Sequence, residues 1–211
     1  MVRKTVFSRE DVVAAGVAVI AKDGLTGLSA RRVAEEMGAS TAPVYSNFAN
    51  MDELAIAVKM AVTDQILEFT ARRFTDDEFL NLGIGVLEFA RQQPGLYSAV
   101  FMQPTEKCEA GPRLMAALAK RMASLESLSE LPESERVMLL HVMGIFTHGL
   151  AVQISTGLAE PLTFEDFILF LEEAGEAMIR HALSRPKRTA EQTTLMQSLM
   201  DINLKEYGAH E

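Results

Sequence analysis

The most specific chemistry suggested by residue type and spacing in this chain lies between residues 29 and 48. Gly38-Ala39-Ser40 separates two short helical patterns there, which is the layout of a helix-turn-helix whose second helix enters a DNA major groove. A helix lying in a groove about 12 Å wide must be thin on its outer face. Thr41, Ala42, Pro43 and Ser46 are small and ill suited to a core, so they meet that requirement. Tyr45 and Asn47 carry polar ends that reach towards phosphates, while Val44 and Phe48 supply inward anchors. The same spacing fits an ordinary helical corner in a bundle, so spacing alone leaves both readings open.

Elsewhere the reactive residue types do not converge. His141 and His148 fall seven residues apart on one predicted helix, about 10 Å along its axis, too far to ligate one metal. A core or subunit-seam role suits them better. Cys108 is the one cysteine, which excludes an internal disulfide and a multi-cysteine zinc site. It falls in a predicted loop after Pro104 and near Lys107, where an inert thiol is the simpler reading and a redox switch the alternative. Gly24-Leu25-Thr26-Gly27 has the form of an RNA-clamping loop, but the strands of that module are missing. No phosphate-cradling glycine loop or nucleophile elbow occurs. Neither an enzyme nor a metal or other cofactor is expected, and Glu172, Glu173 and Glu176 read as a solvated helix face.

The elements that must position residues 29–48 are helical, as is nearly all of the pattern. Ser8 caps a helix running to about Lys22, with Val13, Val17 and Ile20 on one face. Ser29 caps a second, with Ala30, Val33, Ala34 and Met37 inward and Gly38 as its stop; Ser40 is expected to cap a third, Thr41 to about Asn47. Asn50 caps a fourth reaching Phe74, with Asp52 and Glu53 favourable at its positive end. Further helices are expected over 76–93, after Pro94-Gly95, over 111–128 and 132–156, and from a Thr163–Asp166 capping box to a stop before Arg185-Pro186. A last amphipathic helix over 191–204 would carry Leu195, Leu199 and Ile202 on one face. No alternating apolar run makes a strand, so the expected class is all-α.

Composition supports a folded chain with an asymmetric charge. The 211 residues are 48% hydrophobic and carry a formal charge of −9, enough apolar content to bury a core without staples. Residues 1–60 hold seven basic and seven acidic side chains, so the remaining 13 and 22 carry the whole imbalance. A neutral head on an acidic body is compatible with DNA reading but gives little non-specific attraction. No secretory hydrophobic segment follows the N-terminus, and a cytoplasmic protein is expected.

Lys22-Asp23-Gly24-Leu25-Thr26-Gly27-Leu28-Ser29, Val33-Ala34-Glu35-Glu36-Met37-Gly38-Ala39-Ser40, Val44-Tyr45-Ser46-Asn47-Phe48 and Asp52-Glu53-Leu54 follow one another at the spacing of one known family. Over about residues 8–58 the chain resembles the N-terminal domain of TetR-family transcriptional regulators. The resemblance implies a DNA-binding domain over residues 1–50 and an effector-binding and dimerisation domain over 51–211. It implies base contacts from Arg31, Thr41, Ala42, Pro43 and Ser46, and phosphate contacts from Ser29, Ser40, Tyr45 and Asn47. The family commonly has Lys or Arg where this chain has Met51, which removes about one phosphate contact per subunit. Arg3, Lys4 and Arg9 are candidates to compensate.

Val137 to Ala159 is 23 residues without a formal charge. Its histidines, threonines and Gln153, and the lack of flanking cationic clusters, argue against a membrane span. A helix apolar on nearly all sides needs burial on nearly all sides, so a partner surface is expected. Small residues Gly144, Gly149 and Ala151, with Ala174, Gly175 and Ala177 on the next helix, suit a four-helix bundle between two copies. The family resemblance implies the same homodimer, with two heads reading half-sites about 34–36 Å apart.

More weakly, Gln93-Pro94-Gly95-Leu96-Tyr97 with Phe101, and Thr147-His148-Gly149, resemble the subgroup with a Trp-His-Gly signature, threonine replacing the tryptophan. By that resemblance Phe89, Tyr97, Phe101, Met102, Met143, Phe146, Thr147 and His148 are candidate contacts for a small-molecule effector, with plain core as the competing reading. The 12 methionines suit an adaptable cavity and a loosely specified core equally. The expectation is a repressor on a palindromic duplex-DNA operator, released by a small molecule. The alternative is a helical small-molecule-binding protein with weak or lost DNA binding.

Overall fold

Ser8 begins the fold with a reciprocal cap: its hydroxyl accepts from Asp11 N (3.1 Å), and the Asp11 carboxylate accepts from Ser8 N (2.8 Å). Helix α1, Arg9–Asp23, follows and stops at Gly24, whose φ of 71° favours glycine. Ser29 caps α2, Ala30–Glu36, and Gly38 at φ 61° turns the chain into α3, Ala42–Asn47. Asn50 accepts from Glu53 N (2.8 Å) to open α4, Met51–Thr70. Then come α5, Glu78–Gln92; α6, Pro94–Phe101; α7, Ala110–Ala123; α8, Glu133–Thr156; and α9, Phe164–Ser184. The computed structural model describes residues 7–103, 108–158 and 160–185, with positions 189, 192, 194 and 198. Among the described residues there is no strand, so the fold is all-α. Of the helix expected over 191–204, Gln192, Thr194 and Ser198 are helical, while Leu195, Leu199 and Ile202 lie outside the described residues.

Four element boundaries differ from expectation, the first three for a local reason. Ser40 does not cap α3. Thr41 takes the N-cap position and makes no side-chain cap bond, because the second residue of the helix is Pro43, which has no N–H to offer. Val44 N, the next donor, goes to the Thr41 carbonyl (3.1 Å). Helix α4 ends at Thr70 rather than Phe74. The buried Asn81 side chain accepts from Phe74 N (3.1 Å) and Thr75 N (2.8 Å) and donates to Thr75 O (2.9 Å), holding those residues in a turn. Asp77 caps the next helix by accepting from Leu80 N (3.0 Å), so α5 starts two residues later than read. Beyond Ala123 the helix gives way to a short 3-10 turn, Glu126–Leu128.

The chain folds as two compact units. One comprises Met1–Gln65 with Gln92–Gly111. In it α1 packs against α2, α3 and α6 over Val12, Val19, Ile20, Val33, Val44 and Phe48. Gly16 lets α1 and α4 approach closely, since a Cβ there would come within 2.6 Å of Val58. The other unit comprises Ile66–Arg91 with Pro112–Glu211. Its core includes Ile66, Ile84, Leu87, Leu139, Phe167 and Leu171, with the Phe69 and Phe89 rings edge to face at 5.3 Å. Gly85 sits against main chain: a Cβ would fall 2.5 Å from Thr70 Cα and 2.6 Å from Phe69 O. Arg185 reaches the buried Glu135 at 3.4 Å, tying the start of α8 to the end of α9.

Candidate nucleic-acid interface

The turn between α2 and α3 is closed by its own backbone, Gly38 N to Glu35 O (3.1 Å) and Ala39 N to Ala34 O (2.9 Å). Val33, Val44 and Phe48 are buried on its inner side, so the inward anchors read from the sequence are where they were expected. This leaves an outer face of exposed Ser40, Thr41, Ala42, Tyr45 and Ser46, with Pro43 half-buried. Tyr45 is 60% exposed, although it is large and partly apolar. Such a face is thin along α3 and has one long side chain pointing into solvent.

Several of these polar groups already have intramolecular partners. Ser46 Oγ donates to Ala42 O (2.9 Å) and Pro43 O (3.1 Å), which leaves its oxygen lone pairs to accept. Asn47 is half-buried, and its Nδ2 donates to Pro43 O (2.9 Å) and Phe7 O (3.4 Å). Its amide therefore ties α3 to Phe7, the residue ahead of the Ser8 cap, and only Oδ1 is left for an outside donor. The Ser29 hydroxyl accepts from Arg32 N at 3.4 Å as the α2 cap and keeps its own proton to donate. Arg31, on α2, has a side chain 86% exposed and meets Glu35 one turn on at 2.9 Å.

The neutral balance of the head is also a pairing. Lys22 meets Glu36 at 2.6 Å, Arg32 meets Asp23, and Arg9 meets Glu53 at 2.9 Å. Lys59 is buried and donates to the Gln103 main-chain carbonyl, and burial pushes its ammonium below the usual lysine range. Hydrogen bonds from Ala49 N and then Arg9 hold the Glu53 carboxyl below its ordinary value. Arg3 and Lys4 lie outside the described residues.

Arg9 is the feature that local pattern missed. Its guanidinium donates to Asn47 O (2.7 Å), lies 4.0 Å from the Phe48 ring centroid and pairs with Glu53. The partners are 38 or more residues away in sequence, and no periodicity or capping rule connects them.

The effector candidates divide between the two units. Phe89 on α5 and Met143 and Thr147 on α8 are buried in the body unit. His148 is half-buried there, and burial lowers its imidazole from the ordinary value near 6.5. Phe146 turns part of its ring to solvent. In the other unit Tyr97 is buried, which pushes its phenol up, and its ring lies 4.8 Å from that of Phe101, while Met102 is exposed. Helix α8 is long and apolar enough to cross a membrane, yet only 33% of its most apolar stretch is buried. Ile145 on α8 is 75% exposed, and Leu169 and Phe170 on α9 are 50% and 40% exposed. Among the described residues, no three His, Cys, Asp or Glu side chains gather as a metal set.

A short, anchored helix-turn-helix joined to an all-helical body defines a class, the transcriptional regulators that read DNA through a small head. The chain belongs to the tetR family of bacterial regulatory proteins, whose sequence model matches residues 12–58. A second model, the tetracyclin repressor-like C-terminal domain, matches residues 79–167. An uncharacterized HTH-type transcriptional regulator of Mycobacterium tuberculosis, Rv0681, is 26% identical over 106 residues, 48% of this chain and 49% of that protein. The match thus spans about half the length of that relative.

Among solved structures, a transcriptional regulator from Rhodococcus sp. RHA1 superposes with a TM-score of 0.62 at 20% identity, covering 84% of this chain and 96% of its own. A TetR variant from Acinetobacter baumannii, solved with minocycline, gives 0.56 at 13% identity, covering 82% and 95%. BioQ, solved with its double-stranded DNA operator, gives 0.51 at 20%, covering 81% and 99%. At these identities the structures establish the fold. The family places this chain among the bacterial regulatory proteins.

Proposed function

We propose that the chain is a repressor that binds a palindromic operator as a homodimer and leaves it when a small molecule occupies the body. The observation that carries the DNA reading is the thin, exposed outer face of α3 on a helix whose inner side is fixed by Val44 and Phe48. Thr41, Ala42, Pro43 and Ser46 would meet base edges, with hydroxyls and methyls suited to single bonds and thymine methyl contacts. Arg31, on α2, would be the bidentate guanine reader. Ser29, Ser40, Tyr45 and the free Oδ1 of Asn47 would meet phosphates. BioQ binds an operator duplex with the same fold, which favours this use of the head. The functional division is proposed at Asn50, with residues 1–50 reading DNA and 51–211 sensing and pairing.

Dimerisation through α8 and α9 is proposed because their exposed apolar residues, Ile145, Leu169 and Phe170, need a cover that a second copy supplies. This also accounts for the apolar surface of α8 without a membrane, and the reading implies a cytoplasmic protein. The effector reading draws on the minocycline-bound neighbour and on Phe89, Met143, Thr147 and His148. Phe146, Tyr97, Phe101 and Met102 are contact candidates by resemblance alone. An inducer that weakens DNA binding must itself bind the DNA-bound protein less tightly, by the same factor.

A second reading, a small-molecule-binding protein with weak DNA affinity, is favoured by the carboxylate partners of Arg9, Lys22, Arg31 and Arg32. Selection of bound sequences from a random duplex pool, followed by a salt titration, decides between them. Enrichment of a palindrome with half-sites about one helical turn apart is expected. No enrichment at low salt would leave the binding protein as the function.

A further inference from the structure

We propose that Arg9 is a positioning residue for the recognition helix, acting as a clasp on the C-terminal end of α3 rather than as a phosphate contact. The inference rests on the DNA reading of that helix. Helix α3 has six residues and no side-chain cap at its start, too few to hold a shape or a direction unaided. Its course is set by what grips it. Val44 and Phe48 grip its inner side, and Arg9 grips its far end.

Three contacts converge on that one guanidinium. Nη1 donates to Asn47 O (2.7 Å), a carbonyl at the negative end of α3, where a cation is favourable. The planar face lies over the Phe48 ring at 4.0 Å. Nη2 pairs with Glu53 Oε1 (2.9 Å), while Glu53 Oε2 accepts from Ala49 N (2.8 Å) in the link from α3 to α4. Phe7 O and Asn47 Nδ2 add a fourth bond at the same end (3.4 Å). The start of α1 and the first turn of α4 thus close on the last residue of α3.

The geometry requires arginine. A lysine ammonium is a point charge without a flat face to stack or a fork to bridge a carbonyl and a carboxylate. A phosphate, by contrast, accepts either cation. The conservative substitution therefore separates a clasp from a phosphate contact.

The test uses the full chain, the duplex enriched by it, and a scrambled duplex of equal length, across a range of salt. With Arg9→Lys and Arg9→Ala, operator affinity is expected to fall about tenfold or more, the scale set by losing a charge-assisted bond. Scrambled-duplex affinity and the operator salt slope should stay unchanged, so the specificity ratio collapses. Amide hydrogen exchange should quicken at residues 47–49 and stay unchanged in α2. Full operator affinity in Arg9→Lys would overturn the proposal, as would a salt slope reduced by about 0.9 in Arg9→Ala, the signature of one lost phosphate contact. Equal losses on both duplexes with a lowered melting point would reduce Arg9 to a general stabiliser. If Arg9→Ala does not fold, Arg9→Lys decides alone. If the unaltered chain enriches no duplex, the DNA reading fails separately, and exchange at residues 47–49 still judges the clasp: no change in Arg9→Lys sinks it.

Discussion

Arg31 and His148 show how one side chain is set to its task by exposure. Arg31 is nearly free in solvent, and its Glu35 partner is an exposed pair of little strength. Turning from Glu35 to a base edge therefore costs little. Arg31→Ala is expected to relax base preference at one position per half-site in a repeated sequence selection. Uniformly weaker binding with unchanged preference would reassign Arg31 to the backbone. His148 is the opposite case. Burial lowers its folded-state pKa below the ordinary value near 6.5, so the unfolded chain binds the proton more readily. Stability contributed by the neutral imidazole is complete above that ordinary value and declines as pH falls through it towards the depressed folded one. Urea unfolding of His148→Gln should show a flatter pH dependence between about 7 and 5 than the parent chain.

Among the elements, α9 and α5 each depend on a local device. Thr163 and Asp166 cap α9 reciprocally, at 3.3 Å from Asp166 N to Thr163 Oγ1 and 2.7 Å from Thr163 N to Asp166 Oδ2. The Thr163 backbone N–H, then its hydroxyl, hold the Asp166 carboxyl below its usual range. The cap is therefore complete above the ordinary carboxylate range and is lost as pH falls through the depressed folded value. Thr163→Ala should cost about 1 kcal/mol in denaturant unfolding near neutral pH, with the difference shrinking in acid. Gly85 on α5 faces the main chain of Phe69 and Thr70, which has no side chain to swing aside. Gly85→Ala is expected to destabilise by about 1–3 kcal/mol, read as a lowered melting temperature.

For the whole molecule, the apolar exposure of α8 and α9 makes pairing the quantity to measure. A specific dimer interface removes about 800 Å² from each partner, and a charge placed at its centre cannot be hydrated there. Ile145→Lys should convert the chain from dimer to monomer in sedimentation experiments while leaving its helicity intact. Operator affinity should fall with it, because one head reads only half a palindrome. A variant that remains dimeric would move the pairing surface away from Ile145.

Much of the molecule was legible in the order of its residues, because helices are closed by neighbours within four positions. Ser8, Ser29, Asn50 and Thr163 were readable as caps for that reason, and each makes the expected bond. The inward set of Val33, Val44 and Phe48 followed from helical period, and the family from the motifs around them. Ser40 was misread because the cap rule considers the capping side chain alone, whereas Pro43 lies at the third position of a helix started from Ser40 and offers no N–H there. The end of α4 depended on Asn81, seven residues beyond the first amide it fixes. The pairing of the head's cations and the Arg9 contacts with Asn47, Phe48 and Glu53 were decided only by the fold. Such contacts join residues whose separation in sequence carries no period, and they exist only once α1, α3 and α4 have packed together.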